Sequence, residues 1–151
     1  QYANGTGAEA PSHPAGIPMY KPPYSRITDI DMNTGEHAWM IPTGETPARV
    51  ANNPALQGID IGNTGTGNLV PMVVTKNMLV YSDTATDGTP MLYAINKASG
   101  NIEAEIEVPA RSRYGMSSWV HEGRQFIMLQ TGSSLTAMAL PSDEEVGGRA
   151  H

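Results

Sequence analysis

Two aspartates, Asp29 and Asp31, stand two positions apart in a run that alternates apolar and polar residues, so both project from one face of an extended strand. Carboxylates so placed can hold a Ca2+ ion or share a proton. A local reading competes: Asp31 precedes Asn33-Thr34-Gly35, and an aspartate there caps a turn by accepting from backbone amides. Glu103, Glu105 and Glu107 make a second carboxylate row on one strand face. Such groups serve in glycosidic acid–base chemistry, but on an outer strand they also form a solvated edge that resists sheet-to-sheet aggregation. Asn63-Thr64-Gly65-Thr66-Gly67-Asn68 offers backbone that can approach a flat ligand or form a tight turn. It lacks the Gly-Lys-Ser/Thr ending of a phosphate loop. Arg111 and Arg113, beside Tyr114, could clamp an anion or lie as plain surface. Lys21, before Pro22-Pro23, faces the same pair of readings. His13, between Ser12 and Pro14, has no metal-ligating neighbours in sequence, which favours a solvated loop histidine.

The elements that must position these groups are strands. Asp29 to Trp39 reads as a β-hairpin, with Asn33-Thr34-Gly35 as its turn and Trp39 placed to dock on a neighbouring element. The pattern returns as Ala94 to Ala104, with Gly35 and Gly100 65 residues apart, and one unit used twice signals a repeat architecture. Strands are predicted over Arg26–Asp31, His37–Ile41, Leu69–Thr75, Met78–Ser82, Met91–Asn96, Ile102–Val108, Met116–Val120, Gln125–Gln130 and Leu135–Leu140. Leu69–Thr75 is expected to be buried because its run is apolar. His37 is expected to face solvent. The long connection from Pro42 to Gly67 is Pro- and Gly-rich, with one helical turn expected near Asn52–Gly58, capped by Asn53 and opened by Pro54. Residues 1–23 read as an irregular, surface-laid segment, 24–141 as the folded repeat region and 142–151 as a flexible tail.

Composition narrows the classes. The 151 residues carry Lys+Arg 9 against Asp+Glu 15, a net charge of −6, and no basic run, which argues against a nucleic-acid partner. Gly 16 and Pro 12 with few charges indicate an all-β, turn-rich protein. Absence of cysteine removes disulfides, thiolate metal sites and covalent haem. No apolar run is long enough to span a membrane. The chain begins at Gln1 with neither an initiator Met nor a signal peptide, so processing or a longer parent protein is expected.

The strand count has a pattern. Two strands, then four, then three, suggest the last two strands of one unit, a full unit and the first three of another, as in the blades of a β-propeller. The expectation is a partial propeller of two to three blades, ordered beside a larger chain or upstream fragment that completes it.

The hairpin Asp29…Asp31…Thr34-Gly35…Trp39 resembles the tryptophan-docking repeat of quinoprotein dehydrogenases, Ala-x-Asp-x-x-x-Gly-x-x-x-Trp, with Asp29 at the Ala position. The second copy keeps Ala94 and Gly100 but has Asn96 for Asp and Ala104 for Trp. Further runs, among them Lys21-Pro22-Pro23-Tyr24, Asn53-Pro54-Ala55-Leu56, Asn63-Thr64-Gly65, Lys97-Ala98-Ser99-Gly100 and Gly123 to Ile127, resemble in order the carboxy-terminal part of pyrroloquinoline-quinone (PQQ) dehydrogenases of the membrane-bound glucose/quinate type.

This resemblance implies an eight-bladed propeller holding PQQ and Ca2+, oxidising an alcohol, sugar or polyol by hydride transfer to the quinone, in the periplasm, with any membrane association through the rest of the protein. It also implies that the aspartate base and the calcium ligands lie upstream, so no catalytic or metal residue is assigned in this chain. The cofactor-lining candidates are Asn63, Thr64, Gly65, Asn68 and Leu69. The first three match family positions. Asn68 and Leu69 rest on placement, since the sequence there departs from the family's arginine- and glycine-rich pattern. The rival reading is a non-enzymatic propeller that binds protein.

Overall fold

The computed structural model describes residues 13–139, which fold into three antiparallel sheets. The first pairs β1 (Arg26–Ile30) with β2 (His37–Pro42). The second runs in order β3 (Met72–Val74), β4 (Met78–Thr84), β5 (Pro90–Asn96) and β6 (Ile102–Glu107). The third is β7 (Met116–His121), β8 (Arg124–Thr131) and β9 (Ser134–Ala139). Within each sheet every strand pairs with its neighbour in sequence, so the two-, four- and three-stranded meanders expected from the strand count are present, and with them a partial propeller. Of the expected irregular segment, residues 1–12 lie outside the described residues, as do Leu140 and the expected tail.

The repeat is one of hydrogen bonds as well as of sequence. In the first hairpin Asp31 Oδ1 accepts from Asn33 N at 2.8 Å, and the Gly35 amide donates to the Asp31 carbonyl at 2.7 Å. In the second, Asn96 Oδ1 accepts from Ala98 N at 3.0 Å, and Gly100 donates to the Asn96 carbonyl at 2.9 Å. Both hairpins slip register just before the turn, between Asp29 and Ile30 and between Ala94 and Ile95. Asp31 therefore caps its turn. Asn96 does the same work because the cap needs only an oxygen acceptor.

The sheets stack face to face because β4 and β5 are apolar on both faces. On one side Leu79, Tyr81, Tyr93 and Ile95 bury against Ile27 of the first sheet, with Trp39 and Ile41 packed on them. On the other, Val80 and Leu92 bury against Ile127 and Leu129 of the third sheet, with Met116 and Met138 beside them. Trp39 bridges sheets by donating from Nε1 to the Lys97 carbonyl at 2.8 Å. Its ring lies over Gly100, where an added Cβ would sit 2.9 Å from Cδ2. Glycine is required there twice over, by that contact and by a φ of +75°.

Three expectations change. The strand expected over Leu69–Thr75 contracts to Met72–Val74, and it is not buried: Met72 is 43% and Val74 56% exposed. Pro71 has no amide to extend the ladder, and β3 has a neighbour on one side only. The long connection holds a short helix, α1 (Ala48–Ala51), that the sequence did not announce, held by buried Val50. The second turn, Pro54–Leu56, is a 3-10 turn with Asn53 accepting from Ala55 N at 3.0 Å, as the Asn-Pro pair dictates. The glutamates of β6 are all exposed, and His13 is exposed with Nδ1 accepting from Ala15 N. His37 faces solvent.

Candidate functional site

The Pro42–Asn68 connection returns on itself and lies against the end of β4. Three chain segments meet there, around Ser25, Thr43–Thr46 and Asn63–Asn68, and their short polar side chains satisfy one another. Thr43 Oγ1 donates to Ser25 Oγ at 2.7 Å, and Ser25 Oγ accepts from Gly67 N at 2.9 Å. Thr46 Oγ1 accepts from Thr64 N at 2.9 Å. The Tyr24 amide donates to the Thr64 carbonyl at 2.7 Å. Irregular backbone can be buried only with this kind of complete pairing.

Beneath this layer sits Asp83, wholly buried. Its Oδ2 accepts from Thr66 Oγ1 at 2.7 Å, and its Oδ1 accepts from Asn68 Nδ2 at 2.8 Å and Thr84 N at 2.9 Å. All three donors are neutral, and a buried carboxylate needs such a full set of donors to offset its desolvation. Tyr81 Oη accepts from Gly44 N at 3.2 Å. Burial pushes the Tyr81 phenol up to about 12, against the opposing pull of the Gly44 amide and with Asp83 adding to the rise. Tyr93 stacks on Tyr81 with ring centroids 5.0 Å apart; its hydroxyl is buried without a partner among the described residues, and burial, then the charge of Glu45, pushes its pKa up.

The five candidate residues separate into two kinds. Asn63 spends its amide on the loop, donating from Nδ2 to the Gly44 carbonyl at 2.9 Å and accepting at Oδ1 from Gly65 N at 2.9 Å. Thr64 is buried. Gly65, at φ +67°, leaves no room beside it, since an added Cβ would lie 2.7 Å from the Ser25 carbonyl oxygen. The close approach that this glycine permits is therefore of chain on chain. Asn68 and Leu69 differ: Asn68 donates from Nδ2 to Asp83, its Oδ1 accepts from nothing among the described residues, and Leu69 is 94% exposed. Arg111, from the connection between β6 and β7, donates from Nη1 to the Leu69 carbonyl at 3.1 Å. Arg113 and Tyr114 are exposed nearby in sequence.

Asp83, Thr46 and Ser25 were not among the candidates. The one signal for Asp83 is its place directly after the strand expected over Met78–Ser82, where sequence alone reads the start of a polar loop. Among the described residues no three His, Cys, Asp or Glu side chains are grouped to hold a metal ion, and Asp29 and Asp31 do not form a site with a third ligand.

A family model described as "PQQ: Glucose/ethanol/alcohol dehydrogenase, beta-propeller domain" matches residues 2–127. The chain belongs to that family. Membership implies the cofactor PQQ and an oxidoreductase lineage. The chain is similar to the glycerol dehydrogenase large subunits of Gluconobacter thailandicus and Gluconobacter oxydans, 29% identical over 135 residues that cover 87% of this chain and 17% of each relative. It is also similar to a quinate/shikimate dehydrogenase (quinone) of Acinetobacter baylyi, 27% identical over 124 residues, 79% of this chain and 14% of that one. The chain thus spans about a sixth of the length of these relatives. No solved structure matches it significantly. No helix among the described residues is long and apolar enough to cross a membrane.

Proposed function

We propose that this chain is the carboxy-terminal portion, or a small subunit, of a PQQ- and calcium-dependent periplasmic dehydrogenase that oxidises an alcohol, sugar or polyol. The observation that carries the reading is the match of the family model to residues 2–127 on a chain whose sheets form a two-, four- and three-stranded series. The relatives' names point to glycerol and to quinate or shikimate as first substrates to try.

The residues present suit the cofactor. PQQ is a flat, apolar-faced quinone edged with carboxylates. Leu69 offers it an exposed apolar surface, Asn68 a side-chain carbonyl unpaired among the described residues, and Arg111 a guanidinium held on the Leu69 carbonyl. Asn63, Thr64 and Gly65 stand behind them and fix the loop that presents Asn68 and Leu69. When bound, the quinone supplies the hydride-accepting chemistry. This chain's part is to seat one face of it and to exclude water. Calcium ligands and the base that takes the substrate's hydroxyl proton belong to the larger chain or upstream fragment that completes the ring.

The test is reconstitution. The complete protein, supplied with PQQ and Ca2+, should reduce an artificial dye with glycerol or quinate. Failure with every alcohol, sugar and polyol tried, with the cofactor demonstrably bound, would overturn the reading.

A further inference from the structure

Strand β4 is apolar from Met78 to Tyr81 and then carries Ser82 and Asp83, both wholly buried. Adjacent on a strand, the two project from opposite faces. Asp83 sits across from Met91, which packs on the first core cluster, and Ser82 across from Leu92, which is buried in the second.

A polar strand end can be satisfied locally. At the end of β8, Thr131 Oγ1 pairs with Thr136 Oγ1 of its own hairpin at 3.1 Å. Asp83 bonds the adjacent Thr84 amide but also reaches Thr66 and Asn68 in the long connection before β3. Ser82 Oγ accepts from the buried amide of Ser112, in the connection between β6 and β7, at 3.1 Å.

The two connections held in this way meet each other. Arg111, next to Ser112, donates from Nη1 to the carbonyl of Leu69, next to Asn68, at 3.1 Å. A closed circuit results: it leaves one face of β4 at Ser82, runs through Ser112, Arg111, Leu69 and Asn68, and returns to the other face at Asp83. Ser112 Oγ, donating to the Gly115 carbonyl at 2.7 Å, braces the Arg111 side. Apolar side chains would fill both places in β4 with less desolvation. What a hydroxyl and a carboxylate add is direction, because each fixes where a loop atom must lie.

We propose that Ser82 and Asp83 are positioning residues for the cofactor. Together they set the separation of Leu69 and Arg111, Ser82 through the Arg111 connection and Asp83 through Asn68. The proposal rests on the quinone reading above. Both residues are wholly buried, so they act through the loops and not by touching the quinone.

The test titrates PQQ, with Ca2+ present, into the complete protein prepared without cofactor, and follows the quinone's absorbance. Ser82→Ala leaves the Ser112 amide without its acceptor, and Asp83→Asn keeps one oxygen of two. Each should raise the half-saturating PQQ concentration about three- to tenfold, the change that one lost hydrogen bond brings. Coupling distinguishes positioning from general loosening. In an Arg111→Ala background Ser82→Ala should add less than about twofold, and so should Asp83→Asn in a Leu69→Ser background. Gly35→Ala, in a turn of the first sheet where nothing lies within 4 Å of the added Cβ, lowers stability without touching the circuit and should leave the titration unchanged. A shift below about twofold for either variant, effects that add in full to those of Arg111→Ala and Leu69→Ser, or equal weakening by Gly35→Ala would each overturn the inference and leave the quinone reading standing. If the parent protein does not bind PQQ, or Leu69→Ser and Arg111→Ala do not weaken it, the quinone reading falls and takes the inference with it.

Discussion

Gly35 and Gly100 occupy the same turn of the same repeat, at φ +76° and +75°, so an alanine at either meets the same backbone strain, about 1–2 kcal/mol. Their surroundings differ. Nothing lies within 4 Å of a Cβ built at Gly35, whereas one at Gly100 falls 2.9 Å from Trp39 Cδ2 and 3.0 Å from Cγ. The ring has to retreat, and the 2.8 Å bond from its Nε1 to the Lys97 carbonyl stretches with it. Overpacking of this kind adds about 1–3 kcal/mol. Gly100→Ala should therefore destabilise the protein by that much more than Gly35→Ala. Urea denaturation of the purified protein measures both, with an unchanged m-value as the check that the same transition is followed. In a Trp39→Ala background the excess should vanish, leaving a coupling energy of about 1–3 kcal/mol between positions 39 and 100. If the two glycine substitutions cost the same within about 0.5 kcal/mol, or the excess survives removal of the ring, the account of the sheet-to-sheet anchor is wrong.

Asp83→Ala strips the acceptor from three donors, one buried and two half-buried, and should cost about 3 kcal/mol, while Asp83→Asn, which keeps one oxygen, should cost less; urea denaturation orders the two. The Tyr81 phenol, raised by burial to about 12 from an unfolded value of 10.0, keeps its proton in the folded protein when the unfolded chain has lost it. Its contribution is whole below pH 10 and is lost as pH rises towards 12, about 2–3 kcal/mol in all, so stability measured across that window should fall less steeply in Tyr81→Phe. Leu69→Ser and Arg111→Ala should each raise the PQQ concentration for half-maximal reconstitution by about tenfold, the equivalent of about 1.4 kcal/mol, while Met32→Ser, at a position 89% exposed in the first hairpin turn, should leave it unchanged.

Strand placement was legible because alternation and turn chemistry agree locally. Asn33-Thr34-Gly35 and Ser99-Gly100 each fix a turn by a few residues, and the sheets follow. The Asn53-Pro54 pair was equally plain. What could not be read were features set by the chain's return. Leu69 looks like core by hydropathy and is exposed, because Pro71 ends the ladder and the loop turns outward before it. Gly65 reads as a ligand's approach until the Ser25 carbonyl, 40 residues earlier, is found in the space. Asp83 is buried by Thr66 and Asn68, whose proximity no local pattern encodes. Helix α1 is a single turn held by one buried side chain, Val50, too short for a periodic signal.

The central claim is that these sheets are consecutive wedges of a quinone-bearing ring. An experimental structure of the intact assembly with PQQ and calcium tests it most directly. The account predicts further sheets stacked beyond β1–β2 and β7–β9 about one axis, with the quinone in van der Waals contact with Leu69 and the Arg111 guanidinium near one of its carboxylates. A quinone seated on other loops, with Leu69 still open to solvent, or sheets that do not share an axis, would contradict it.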